Sequence, residues 1–237
     1  MRWLASLLLA AIAAFGCRAE RLRPEPKVER EPLGTPAGSA RKTALALPPP
    51  ALSGTMSVEQ ALSTRRSRRD FAPTALSTGE LGQLAWAAQG VSDPREGFRT
   101  SPSAGALYPL ELYFVTGTGM LHYVPARHSF EPHSDRDLRP ELSRAALDQE
   151  AVRSAPCAVV ITSVTERTRK KYGERAARYV ALEAGHVAEN LLLQATARGL
   201  VAVPIGAMDG EAVGRVLGLG PAEEPLYVLA IGHPRQQ

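Results

Sequence analysis

The chain is poor in cysteine, with two in 237 residues, Cys17 and Cys157. Stability must therefore come from a hydrophobic core, for which 44% hydrophobic content is sufficient. Aromatic residues make up 5%, and the basic residues are spread from Arg18 to Arg235 instead of forming a stripe with interleaved aromatics. With a net charge of only +4, this excludes a dedicated nucleic-acid reader. The apolar run from Trp3 to Phe15 is too short to span a bilayer comfortably. No Gly-x-Gly-x-x-Gly follows a strand pattern, and neither a P-loop nor a Gly-x-Ser-x-Gly elbow is present. His122, His128 and His133 have no cysteine partner, which disfavours a zinc site. Glu183-x-x-His186 has the spacing of half a carboxylate di-metal site, but no second copy occurs. The length suits one full domain and an appendage, without internal repeats.

What is present begins with an export pattern. Met1-Arg2 and the apolar run lead into Ala14-Phe15-Gly16-Cys17, which resembles a bacterial lipobox, although Ala14 and Phe15 are unusual in it. Residues 1–17 are thus expected to be a lipoprotein-type signal, with lipid on Cys17 holding the protein on the periplasmic or outer side of a bacterial membrane. No twin-arginine pair precedes the run. Cys157 would then have no partner for an internal disulfide, and its apolar surroundings read as a buried strand. Residues 18–54, with Pro24, Pro26, Pro32, Pro36 and Pro48-Pro49-Pro50, predict a disordered spacer. Residues 55–237 are expected to fold.

In the folded part, Ser57-Val58-Glu59-Gln60 has the form of a capping box opening a short helix. Ser77-Thr78-Gly79-Glu80 opens a second helix, stopped by Gly90. Leu110 to Thr116, Gly117-Thr118-Gly119 and Met120 to Val124 predict a hairpin. Helices are expected at residues 137–146, 176–198 and 211–217, and strands at 158–164, 201–205 and 226–231. The fold class is α+β, a layered domain with a mixed sheet and flanking helices.

The densest chemical signal is Arg65-Arg66-Ser67-Arg68-Arg69, four guanidiniums around a hydroxyl at the end of the first helix. Guanidiniums bind phosphate oxygens through paired charge-assisted hydrogen bonds, so the cluster suits a phosphate, although short basic runs are often solvated faces. The chain holds only four lysines, Lys27, Lys42, Lys170 and Lys171, and Lys171 stands beside Tyr172. A lysine or a tyrosine there is a candidate for proton transfer, and equally for a surface pair.

Four motifs occur in order: Arg65-Arg66-Ser67-x-Arg69-x-Phe71, Pro102-Ser103-Ala104-Gly105-Ala106-Leu107-Tyr108-Pro109-Leu110-Glu111, Glu183-Ala184-Gly185-His186 with Asn190, and Pro204-Ile205-Gly206 before Gly232-His233-Pro234. In this set the chain resembles the FMN-dependent nitroreductase superfamily and, within it, the SagB-type dehydrogenases that oxidise azolines to azoles. The resemblance implies an FMN site at a homodimer interface and two-electron transfer through flavin N5. It assigns Arg65, Arg66, Ser67 and Arg69 to the phosphate, ribityl and pyrimidine edge. It likewise assigns Pro102, Ser103, Ala104 and Gly105 to close approach of the ring, Pro204, Ile205 and Gly206 to its face or N5, and Arg235 to the phosphate. Lys171 and Tyr172 match the pair associated with proton transfer in azoline-oxidising members. The substrate would be a small molecule or derived from a peptide, and the alternative is a non-catalytic flavin-binding protein for storage or sensing.

Overall fold

The computed structural model describes residues 43–235, and the signal, Cys17 and most of the spacer lie outside the described residues. The described part begins with strand β1 (Leu45–Ala46), helices α1 (Val58–Thr64) and α2 (Thr78–Gln89), and a small hairpin, β2 (Val91–Asp93) and β3 (Phe98–Arg99). Strands β4 (Leu110–Thr116), β5 (Gly119–Val124) and β6 (Ser129–Ser134) follow, then helices α3 (Arg139–Ala145) and α4 (Glu150–Ser154). Strand β7 (Cys157–Ser163), helices α5 (Glu166–Tyr172) and α6 (Ala176–Ala197), strand β8 (Val201–Ile205), helix α7 (Gly210–Leu217) and strand β9 (Glu224–Gly232) complete it.

Both capping boxes form. Ser57 Oγ accepts from Gln60 N (3.2 Å) while Gln60 Oε1 accepts from Ser57 N (2.9 Å), and Ser77 and Glu80 repeat the exchange on α2. Each pairing satisfies two amide donors that a helix start otherwise leaves open.

Seven strands make one sheet in the order β1-β6-β5-β4-β7-β9-β8, and these named pairs are antiparallel. The parallel component is an isolated bridge from Ser67 to Ala202, at the β8 edge. Helices cover both faces, which explains why central β7 is buried throughout and apolar from Cys157 to Ile161. Its Cys157, Val159 and Ile161 enter a core shared with α2 and α6, while Ala158 and Val160 enter a second core shared with α3, α4 and α7. Burial pushes the Cys157 thiol up to about 12, so it serves as a small core residue.

Three segments differ from the sequence expectation. Residues 45–51, assigned by their prolines to the spacer, belong to the folded body. Leu45 and Ala46 pair with Phe130 and Ser129, Leu47 is buried against α2, and the Gln83 side chain grips Ala51 at both N (2.8 Å) and O (3.1 Å). An edge strand this short leaves little pattern in a sequence. Residues 125–136, where the sequence offers no strand pattern, include β6, whose Glu131 and His133 interrupt the apolar signal. Helix α5 carries charge on nearly every side and buries only Thr168, so it has no amphipathic period to read.

Candidate functional site

The site begins where α1 stops. Arg65 N closes the helix on Ala61 O, and its Nε lies 3.6 Å from Glu189 Oε1 on α6. Arg66 turns back, its Nη1 donating to Ser63 O (3.1 Å) and Arg65 O (2.7 Å). The next six residues run along the sheet edge. Ser67 bridges Ala202, Arg68 N donates to Ala202 O (3.0 Å), Phe71 bridges Pro234, and Ala72 N donates to His233 O (2.9 Å). This strap and the chain end enclose a cleft of about 530 Å³ lined by Ser67, Arg68, Arg69, Asp70, Val201, Pro234 and Arg235. Three guanidiniums and a hydroxyl against one carboxylate give it the chemistry of an anion site.

Beside the strap, β8 continues from Ala202 to Pro204 and Ile205, with exposed Gly206 just beyond. At strand spacing these residues lie about 7–13 Å along the same edge from Ala202.

A second group of these residues lies in the turn at residues 101–109. Ser103 Oγ accepts from Tyr108 N (2.9 Å), and the chain adopts positive φ at Gly105 (64°), Ala106 (52°) and Tyr108 (49°). Glycine is favoured at 105 by φ and by space, because a Cβ there would sit 2.9 Å from Tyr172 Oη and 3.4 Å from Lys171 Cδ, so those side-chain ends would have to shift. The end of α5 therefore lies directly over this turn. Lys171 Nζ is 5.8 Å from the Tyr172 ring centroid, and Tyr172 meets Tyr179 edge-on at 4.8 Å.

Helix α6 aligns these parts. Glu189 faces Arg65, Asn190 Nδ2 donates to Ser101 Oγ (2.9 Å), Tyr179 meets Tyr172, and Glu183 lies beneath Ser103. Glu183 is 2% exposed, and burial raises its carboxyl to about 7 against the opposing hydrogen bonds of Ser103 and Gln89 and the charge of Arg99. Gln89 Nε2 approaches it at 3.5 Å, while Arg99 Nη1 donates to Gln89 Oε1 at 2.6 Å. His186 is exposed on the same helix.

Of the residues singled out in the sequence, Ser67, Arg69 and Arg235 thus share one cleft, and Gly105 meets Lys171 and Tyr172. Pro102, Ser103 and Ala104 belong to that turn, and Pro204, Ile205 and Gly206 to the β8 edge. Arg65 and Arg66 do not line the cleft, since one is engaged on α6 and the other on the α1 terminus. Arg68, one of the four guanidiniums of the run but unassigned by the family motif, lines it instead. Sequence reasoning also missed what Glu183 does, although an acid among the alanines and leucines of α6 is itself a signal.

A family model described as the nitroreductase family matches residues 62–233. The chain belongs to the nitroreductase family. The nitroreductase-named protein MJ1384 of Methanocaldococcus jannaschii is 41% identical over 181 residues, 74% of this chain and 90% of that protein. The microcin B17-processing protein McbC of Escherichia coli is 30% identical over 138 residues, about half of each (53% and 50%). Among solved structures, a nitroreductase-named protein of Ralstonia eutropha aligns with a TM-score of 0.74 and 27% identity, covering 88% of this chain and 97% of that one. The NADPH:FMN oxidoreductase of Vibrio harveyi, solved with NAD+, shares the fold with a TM-score of 0.58 and 21% identity over 76% of this chain and 69% of that one. The family is one of oxidoreductases.

Proposed function

We propose that this nitroreductase-family chain is an FMN-dependent oxidoreductase of the SagB type, working as a homodimer on a small-molecule or peptide-derived substrate. The observation that carries the reading is the arginine-lined cleft beside the Pro204-Ile205-Gly206 edge, with the Gly105 turn under Lys171 and Tyr172 held to the same helix α6 that meets Arg65. A phosphate monoester fits the cleft, because Arg68, Arg69 and Arg235 can neutralise a dianion to which the Ser67 hydroxyl donates. Bound FMN would supply two-electron transfer through its N5. Pro204, Ile205 and Gly206 offer backbone with little side-chain bulk for a flat ring to lie against. Tyr172 Oη and Lys171 hold and move the proton that accompanies the transferred electron pair at the Gly105 turn. McbC, a microcin B17-processing protein by its name, supports a substrate of the peptide-derived kind.

Association of two chains is favoured by Val58 (65% exposed) and Leu62 (55%), one turn apart on α1, and by Leu182 (51%) on α6, against which α1 packs. The lipid on Cys17 and a location outside the cytoplasmic membrane belong to the same proposal.

The test is the visible spectrum of the purified full-length chain, with mass spectrometry of any released ligand. A flavin spectrum near one FMN per chain, bleached by a donor and restored by an acceptor, is the expected result. Flavin bound without turnover would leave a storage or sensing protein, and a colourless chain that takes up no added FMN would sink the reading.

A further inference from the structure

Helix α5 has no apolar face to hold it, yet it carries both Lys171 and Tyr172; Thr165 bonds Glu224 Oε1 (2.7 Å) at its start and Tyr172 meets Tyr179 at its end, and Arg167 ties it to the Gly105 turn and β4. Arg167 Nη1 donates to Tyr108 O (3.1 Å), at the end of the Gly105 turn, and its Nη2 lies 2.6 Å from Glu111 Oε1 at the start of β4. The other carboxylate oxygen of Glu111 accepts from His122 Nε2 on β5 at 2.8 Å. A backbone bond from Val164 N to Pro109 O (2.8 Å) runs parallel to this tie. Burial by itself would raise the Glu111 carboxyl, but the His122 hydrogen bond and the Arg167 charge hold it below the usual range, so it remains a carboxylate at neutral pH. The guanidinium thus grips two points, and about one and a half helical turns further on Tyr172 Oη lies against Gly105.

We propose that Arg167, braced by Glu111 and His122, is a positioning residue that sets the Lys171-Tyr172 end of α5 over the Gly105 turn. This rests on the reading that Lys171 and Tyr172 handle the proton. A forked guanidinium bound to a carbonyl and a carboxylate fixes both distance and rotation, which a single ammonium cannot do.

The experiment uses full-length flavin-loaded protein, reduced with dithionite and reoxidised by menadione under anaerobic stopped-flow, with hydrogen exchange read on the same samples. Tyr172→Phe is expected to lower the limiting rate. Arg167→Ala is expected to lower it on the order of tenfold, with half-saturation changed less than about twofold, because misplacement costs orientation and not binding. Arg167→Lys should recover only part of that loss, and Arg167→Ala should add little in the Tyr172→Phe background. Hydrogen exchange should rise together in peptides covering 103–109 and 166–172 and stay unchanged in α2. A normal rate and normal exchange in Arg167→Ala, with Tyr172→Phe slow, would overturn this inference and leave the proposed function standing. Tyr172→Phe at the wild-type rate would overturn both. Should Arg167→Ala fail to fold, Glu111→Gln keeps the bond to Tyr108 O and must shift rate and exchange in the same direction, and an unchanged Glu111→Gln enzyme overturns the inference.

Discussion

Glu183→Gln should stabilise the protein in alkaline solution and leave it nearly unchanged in acid. The carboxyl is 2% exposed and its pKa is raised from 4.5 to about 7, chiefly by burial. The folded state therefore binds the proton more tightly than the unfolded chain. This contribution is fully present below pH 4.5 and is lost as pH rises through 7, at about 1.4 kcal/mol per pH unit. Across the whole shift the loss is about 3 kcal/mol, the cost of an ionised carboxylate beneath Ser103. Glutamine copies the neutral acid in shape and can still accept from Gln89 and Ser103, so it escapes that cost. Urea unfolding followed by circular dichroism at pH 5 and pH 8.5, with both proteins stripped of ligand, isolates the group because other titrations cancel in the difference. Near pH 5 the two proteins should agree within about 1 kcal/mol, and at pH 8.5 the variant should be ahead by about 3 kcal/mol, or roughly 6–12 °C in Tm. A difference between the proteins that does not change with pH would refute the reasoning.

Replacing Ser67, Arg69 and Arg235 together with alanine should weaken FMN binding by at least tenfold, measured by quenching of flavin fluorescence, and should flatten its dependence on salt. Equal affinity in the variant would place the phosphate elsewhere. Gly105→Val meets both the positive φ and Tyr172 Oη at 2.9 Å, so it should displace α5 and reduce turnover far more than it lowers Tm. Leu47→Ala should cost about 2 kcal/mol in urea unfolding if residues 45–51 are part of the folded body, and nothing if they are spacer. Cys17→Ser should abolish incorporation of labelled palmitate in a bacterial host, and label retained in the variant would remove the anchor.

Elements governed by neighbouring residues were legible in the sequence. The capping boxes at Ser57 and Ser77 place two helix starts by hydrogen bonds that span three residues. The β4–β5 hairpin follows from its Gly117-Thr118-Gly119 turn, and α6 from twenty-two residues rich in alanine and leucine. The capacity of the run at residues 65–69 to bind an anion was equally plain, since charge and hydrogen-bonding capacity belong to each side chain wherever it lies. Which of those arginines face the cleft was decided by tertiary structure. The strap pairs with Ala202 at Ser67, more than a hundred residues away in the chain, so that Arg68 and Arg69 face the cleft while Arg65 goes to Glu189. The same holds for β1, held by an edge and a glutamine, and for α5, held by Arg167. Local pattern records which conformation a segment favours and which groups it offers. Partners distant in the chain determine which of those groups meet, and burial among them determines what a side chain such as Glu183 becomes.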